Sequence, residues 1–284
     1  MRPFKPDFHC HTTLSDGSLT PEELIERAVQ FEVTHLAITD HDSTRGYELA
    51  VPFAEKTDVK LISGAEISCQ WQNHTIHIVG LQLDVKNPQL QAGLEKNCQT
   101  RIERAEAIDE KAKKKFGSLL EKIRPKLKEG MIGRNHFAQQ LIADGIVTDQ
   151  NQAFNKYLKQ GRPLYAPVIW PELSEVVKWI VDAGGIAVIA HPHVYKMTKN
   201  KLNKMLVEFK QAGGKAIEVV CQPRVCSDQI GMADRAIRHG LYASLGSDFH
   251  RPEHTWRGLG WLAPMPTGVD PIWHYLNETK GLEI

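Results

Sequence analysis

The chain has 284 residues, 42% of them hydrophobic and 24% charged, with a formal net charge of +1. That length can bury one large core with room for a small inserted unit, and no apolar run approaches the ~20 residues of a membrane-spanning helix. The start, Met-Arg-Pro-Phe-Lys-Pro-Asp, lacks a signal peptide's apolar segment, and five scattered cysteines suit reduced thiols better than a disulfide framework. The cytoplasm is therefore the expected compartment.

In chain order, a first strand near Phe8 runs into His9-Cys10-His11 and then Leu14-Ser15-Asp16-Gly17. Side chains at i and i+2 of a strand share a face, so the two imidazoles point together. Thr20-Pro21-Glu22-Glu23 combines an N-cap threonine, proline at the first helical position and a capping-box glutamate. Leu36-Ala37-Ile38 runs into Thr39-Asp40-His41-Asp42, and residues 60–64 into Ala65-Glu66-Ile67. Residues 75–83 form a β-branched stretch carrying His77. His74 and His77 compete there, because their odd spacing puts them on opposite faces.

Further on, residues 186–190 run into His191-Pro192-His193, residues 216–220 read as another short strand, and residues 241–245 end in Gly246-Ser247-Asp248-Phe249-His250. Helical patterns lie between most of these strands. One spans 173–183 before Gly184-Gly185, and another spans 202–212 before Gly213-Gly214. A third, capped by Ser227, closes at His239-Gly240. Repeated β-α units around a parallel sheet predict a closed or distorted β/α barrel, whose chemistry gathers at the carboxyl ends of the strands. The segment from Pro264 onward carries no interpretable signal.

Residues 88–166 break the alternation. They read as polar helices: a long one from Pro88 to near Gly117, a second from Ser118 to about Lys128 that Pro125 must bend or break, and a third from Asn135 to Asp144. The reading is a helical domain (88–166) inserted into a barrel made of residues 1–87 and 167–284. The insert holds 15 Lys or Arg against 9 Asp or Glu, so it carries +6 and the remainder −5. A basic insert beside an acidic barrel points to a polyanionic substrate, although the run Lys111 to Lys115 equally suits a solvated helix face.

The strand-end set comprises His9, His11, Asp16, His41, Glu66, His77, His191, Asp248 and His250. Nine nitrogen and oxygen donors exceed the needs of one ion, and mixed imidazole and carboxylate suits manganese, iron or zinc in hydrolytic chemistry. Ions held close together can activate water and clamp phosphate oxygens. Asp40 and His193 read as hydrogen-bonding partners that orient the ligands. Arg134 can offer a planar fork to phosphate, and Asn135 at a helix start adds free N–H groups. His136 can add a hydrogen bond or a proton. Arg224, after the 216–220 strand, is a second phosphate-binding candidate. Trp71, Trp170, Trp179, Trp256, Trp261 and Trp273 read as core or barrel-rim residues, with base stacking as the alternative.

Asp7-Phe8-His9-Cys10-His11, Thr39-Asp40-His41-Asp42, Gly64-Ala65-Glu66, His191-Pro192 and Gly246-Ser247-Asp248-Phe249-His250 resemble, in order, the successive motifs of the PHP (polymerase and histidinol phosphatase) superfamily. The resemblance spans residues 7 to about 260 and implies a distorted (β/α)7 barrel with a trinuclear site. It implies that His9, His11, Glu66 and Asp248 hold one ion, and that Glu66 bridges to a second held by His77 and His191. Asp16, His41 and His250 would hold a third; many superfamily members carry histidine where this chain has Asp16. The helical insert with Gly133-Arg134-Asn135-His136 is most similar to the TrpH/ribonuclease AM subgroup. That likeness implies removal of the 3′-phosphate from nucleoside 3′,5′-bisphosphates and shortening of 5′-phosphorylated RNA from its 5′ end, with manganese the expected metal. No membrane association and no obligate protein partner are expected. The rival readings are a small-molecule phosphatase of the histidinol-phosphate type and a non-catalytic metal-binding module.

Overall fold

The computed structural model describes residues 3–127 and 130–281. Seven strands form one sheet in chain order: β1 (Pro6–Cys10), β2 (His35–Ile38), β3 (Lys60–Trp71), β4 (His74–Leu81), β5 (Ile186–Ile189), β6 (Ala216–Val220) and β7 (Tyr242–Leu245). All seven match strands expected from the sequence. The sheet curls until its ends nearly meet. The Asp248 N–H donates to the His9 carbonyl at 2.8 Å, and the His11 N–H to the Phe249 carbonyl at 2.9 Å. The loop after β7 thereby locks onto the end of β1.

Helix α1 (Pro21–Gln30) follows β1 and α2 (Arg45–Ala54) follows β2. The expected capping box starts α1: Thr20 Oγ1 accepts the Glu23 N–H at 3.2 Å, and Glu23 Oε2 accepts the Thr20 N–H at 2.7 Å. After β4 come α3 (Pro88–Phe116), α4 (Leu119–Leu127), α5 (Arg134–Ala143) and α6 (Gln150–Ala153), the last running into a π-helical turn at Phe154–Leu158. Helices α7 (Leu173–Asp182), α8 (Lys199–Gln211) and α9 (Ser227–His239) then cross between strands, and α10 (Ile272–Lys280) closes the described chain.

Several boundaries differ from expectation for identifiable reasons. The sheet is not uniformly parallel, because β4 runs antiparallel to both β3 and β5. Only Gln72 and Asn73 separate β3 from β4, which forces a hairpin, since a parallel return needs a crossover of about a dozen residues. Strand β3 also continues past Glu66 to Trp71, so Glu66 lies where parallel pairing with β2 gives way to the hairpin. Pro125 neither bends nor breaks the middle of α4 but sits two residues from its end. The cap of α9 is Cys226 rather than Ser227, which is its first helical residue. The segment after Pro264 contains α10, anchored by the fully buried Ile272 and Leu276.

The buried apolar residues fall into three clusters, one of them gathering Leu24, Ile25, Leu36 and Phe249 around α1 and the start of the sheet. The barrel core includes Ile67, Ile78, Val188, Ile217 and Phe209, whereas Ile108, Leu119, Phe137 and Leu141 form a separate core between α3, α4 and α5. One buried carboxylate ties the helices to the barrel rim. Asp42 Oδ1 accepts from the Ser68 N–H and the Asn97 side chain, both at 2.7 Å, while Oδ2 accepts from Arg101 Nε at 2.7 Å. Removing one member of a buried ion pair strands its partner without solvation. Asp42→Ala is therefore expected to cost about 3–5 kcal/mol of stability in denaturant unfolding; an unchanged midpoint would remove this anchor from the account.

Candidate metal centre

Each of the nine strand-end residues reaches the same point at the carboxyl face of the barrel. His9 is the penultimate residue of β1 and His11 lies just past its end, so strand alternation turns both rings inward. Their Nε2 atoms lie 3.2 Å apart. They face Glu66 Oε2 at 3.4 and 3.3 Å and Asp248 Oδ1 at 3.6 and 3.2 Å. Glu66 Oε1 is 2.8 Å from both His77 Nδ1 and His191 Nε2. Asp16 Oδ1 is 3.2 Å from His250 Nε2 and 3.7 Å from His41 Nε2.

Local backbone explains how these residues get there. The antiparallel course of β4 starts it at the carboxyl rim, which is why His77 enters from the first half of its strand. His74 takes the opposite face of β4. His191 (φ +31°) and Asp248 (φ +52°) adopt left-handed backbone, which turns their side chains back over the barrel mouth.

Three donor groupings emerge, each with its ligand atoms within 4.8 Å of one another: His9, His11 and Glu66; His41, Glu66 and His77; and His11, Asp16, His41 and His250. His41 and His11 each fall in two groups, so the donors overlap more than a strict three-way division implies. The chemistry of the set fits divalent cations. Asp16 Oδ1, Glu66 Oε2, His41 Nδ1 and His191 Nδ1 are buried without a hydrogen-bond partner. His41 Nδ1 and Glu66 Oε2 lie 2.9 Å apart yet make no hydrogen bond. Burial lowers His41 to about 4 and also lowers His77 and His250, favouring the neutral imidazole that ligates metal. For Glu66 and Asp16 burial works against the charged form, but His77, His41 and His9 outweigh it at Glu66, and His250 and His41 at Asp16.

Around the rings, other groups fix which nitrogen faces inward. Ser15 Oγ sits 3.3 Å from His11 Nδ1 and donates to Asp40 Oδ1 at 2.5 Å, while Asp40 also accepts from the Thr12 N–H and hydroxyl. Asp40 thus acts on His11 through Ser15. The Asp248 carbonyl takes His250 Nδ1 at 2.8 Å. His193 is half-buried and makes no hydrogen bond to the cluster among the described residues.

On one side the cluster opens into a cleft lined by Arg101, Arg104 and Arg134 together with Asp16, His41 and His77. Arg101 is paired with Asp42, but Arg104 and Arg134 have no acidic partner among the described residues. Burial, helped by the neighbouring guanidinium groups, lowers Arg104 to about 9 and also lowers Arg134. Asn135 does not cap α5; the cap is Gly133, and Asn135 instead donates to Asp16 Oδ2 at 2.5 Å. His136 Nδ1 accepts the Gly133 N–H at 3.0 Å, so that nitrogen is occupied by the helix start. Arg224 stands exposed on the loop after β6, without a bond to the cluster among the described residues.

A family model for the PHP domain matches residues 7–180. The chain belongs to the PHP family. It is 41% identical over 273 residues to a 3′,5′-nucleoside bisphosphate phosphatase of Chromobacterium violaceum, covering 95% of this chain and 96% of that one. It is 37% identical over 277 residues to the 5′-3′ exoribonuclease Rnm of Escherichia coli, covering 96% and 94%. A solved structure described as an amidohydrolase from Chromobacterium violaceum, with bound sulfate and no metal, superposes with a TM-score of 0.90 at 39% identity, covering 96% of each chain.

Within this PHP barrel, four residues near the centre escaped the sequence reading. Arg101 and Arg104 look like one polar face of a long helix, and Arg257 looks like a loop cation, yet Arg257 pairs with the Asp248 carboxylate. Glu218 is the fourth. It interrupts the apolar strand Ala-Ile-Glu-Val-Val, and a carboxylate at a strand position with buried neighbours was the available signal. Its Oε1 meets His9 Nδ1 at 2.7 Å, and its Oε2 accepts the His191 N–H at 2.5 Å. Burial opposes a proton on His9, but Glu218 and Glu66 overcome it and raise the ring to about 10. One carboxylate thus aims two donors from different strands. Since outer partners of metal ligands are worth about 10–100-fold in affinity, Glu218→Gln is expected to lose manganese affinity by roughly that factor in chelator competition, with little change in circular dichroism. Unaltered affinity would contradict this role.

Proposed function

We propose that this chain is a divalent-metal phosphoesterase that removes the 3′-phosphate from nucleoside 3′,5′-bisphosphates and, by the same displacement, shortens 5′-phosphorylated RNA from its 5′ end. The observation that carries the reading is the arginine cleft opening directly onto the nine-donor cluster. Two clustered guanidinium groups without acidic partners call for an anion, and the cluster beside them suits a second phosphoryl group. A substrate with two phosphates on one ribose answers both demands. The names of the relatives from Chromobacterium violaceum and Escherichia coli support the same substrates.

His9, His11, Glu66 and Asp248 would hold one ion, Glu66 with His77 and His191 a second, and Asp16 with His41 and His250 a third. Manganese suits the thiolate-free mixture of imidazole and carboxylate, with iron or zinc as alternatives. Such ions, when bound, polarise phosphoryl oxygens and make water a better nucleophile. The protein's own groups do the positioning. Glu218 and Ser15 take the Nδ1 side of His9 and His11, leaving Nε2 toward the centre. Asp40 supports His11 through Ser15, and His193 lies one step outside. Arg134, with Arg104 and Arg101, grips the 5′-phosphate and sets direction. Asn135 holds Asp16 and separates the cleft from its neighbour, His136 braces the start of α5, and Arg224 is left to the solvent-facing rim.

In the reaction, water oxygen joins phosphorus, the bond from phosphorus to the 3′-oxygen breaks, and that oxygen gains a proton. An internal RNA phosphodiester presents the same bond. The insert (88–166) serves as a substrate-capping domain on the barrel (1–87 and 167–284). Five free cysteines suit the reducing cytoplasm as its compartment.

A buried charge pair that loses one member typically costs 2–5 kcal/mol, so Arg134→Ala is expected to lower kcat/KM by about 30-fold or more on 5′-phosphorylated substrates. Matched 5′-hydroxyl substrates should change far less. Equal losses on both would sink the clamp.

A further inference from the structure

The arginine cleft is also lined by Ile108, Phe137 and Trp170, all buried. A 5′-terminal phosphate held on its guanidinium groups ends the chain there, with the scissile phosphate at the cluster. The rest of an RNA must therefore leave the centre on another side. Asn135 forms a partition, since it lines the arginine cleft on one side and a second cleft on the other. Gln150 fixes that partition by donating to Asn135 Oδ1 at 3.0 Å.

The second cleft also touches the cluster, through His250, and its remaining wall comes from the loop after β7, with Arg251, Trp256 and Arg257. No carboxylate lines it among the described residues. Arg257 is committed to Asp248. Arg251 is different: its Nε is buried without a hydrogen-bond partner, and no ion pair involves it among the described residues. Trp256 contradicts the expectation of core or rim burial, being 60% exposed. It is not a free-standing ring, because His254 stacks on it at 4.7 Å with an interplanar angle of 22°. An exposed, pre-ordered indole beside an uncompensated guanidinium is the pairing that single-stranded nucleic acid uses, with a base on the ring and a phosphate on the cation.

We propose that this cleft is the binding subsite for the nucleotide immediately 3′ of the scissile phosphate, its base stacked on Trp256 and its next phosphate on Arg251. The inference rests on the phosphoesterase reading above and adds to it. The arginine cleft serves bisphosphate and RNA alike, whereas the Trp256–Arg251 cleft is filled only by RNA. Discrimination between the two substrates then lies in the loop after β7.

The test compares wild type, Trp256→Ala and Arg251→Ala, each loaded with manganese, on adenosine 3′,5′-bisphosphate and on a 5′-phosphorylated oligoadenylate. For each variant the ratio of oligonucleotide to bisphosphate kcat/KM is expected to fall about tenfold relative to wild type, in keeping with one stacked base. Arg251→Ala should also make oligonucleotide turnover less sensitive to salt, because one phosphate contact is gone. An unchanged ratio in both variants, or a wild type that hydrolyses the bisphosphate and leaves the oligonucleotide intact, overturns this subsite alone. A wild type that hydrolyses neither overturns the parent reading and the subsite together.

Discussion

Glu66 sits fully buried among five imidazoles, with His41, His77, His191, His11 and His9 all within 3.4 Å of its two oxygens. Such a packing of lone pairs is tolerable only if positive charge lies among them, as protons or as metal ions. Protons answer this only in part, because burial disfavours the cationic form of His41, His77 and His250, whereas Glu218 and Glu66 raise His9 to about 10 against its burial. Divalent cations would satisfy the unpartnered Asp16 Oδ1, Glu66 Oε2 and His41 Nδ1. The barrel is arranged around this requirement. The β3–β4 hairpin brings His77 in from the far side, left-handed backbone turns His191 and Asp248 over the mouth, and Glu218 aims His9 while steadying the His191 backbone.

Charge is partitioned across the site in a way that complements a phosphorylated ligand. The barrel contributes a cluster of imidazoles and carboxylates, and the helices between β4 and β5 contribute guanidinium groups. Arg101, Arg104 and Arg134 come from two helices of the insert, α3 and α5, and Asp42 holds the first of these to the barrel rim. The cleft therefore depends on how the insert docks, not only on which residues it carries. Asn135 links the two halves directly through Asp16.

Much of this was legible in the sequence, because strand and barrel periodicities are local. All seven strands, the α1 capping box and most of the strand-end set follow from alternation, turn residues and spacing, whereas His74 and His77 compete until β4 is in place. The direction of β4 was also readable in principle, since two intervening residues permit only a hairpin. Glu218 was harder: a glutamate within a short strand carries no sign of what lies opposite until β1 and β5 are in place. Arg101 and Arg104 look like solvated helix charges until the insert folds against the rim. Arg224 and Arg257 are indistinguishable as loop arginines, yet Arg257, in the 3-10 turn Thr255–Arg257, pairs with Asp248 while Arg224 is exposed on the loop after β6. Helix α10 lacked a strong pattern because two residues, Ile272 and Leu276, supply its buried face.

The central claim is that this donor-lined barrel and its arginine cleft serve a ribose bearing both 3′- and 5′-phosphates. The most direct measurement is phosphate release by manganese-loaded protein from adenosine 3′,5′-bisphosphate, set beside histidinol phosphate and a 5′-phosphorylated RNA. The account predicts release of the 3′-phosphate from the bisphosphate, mononucleotides from the RNA, and weak turnover of histidinol phosphate. Turnover confined to histidinol phosphate would contradict it, leaving the metal centre intact and the substrate wrong.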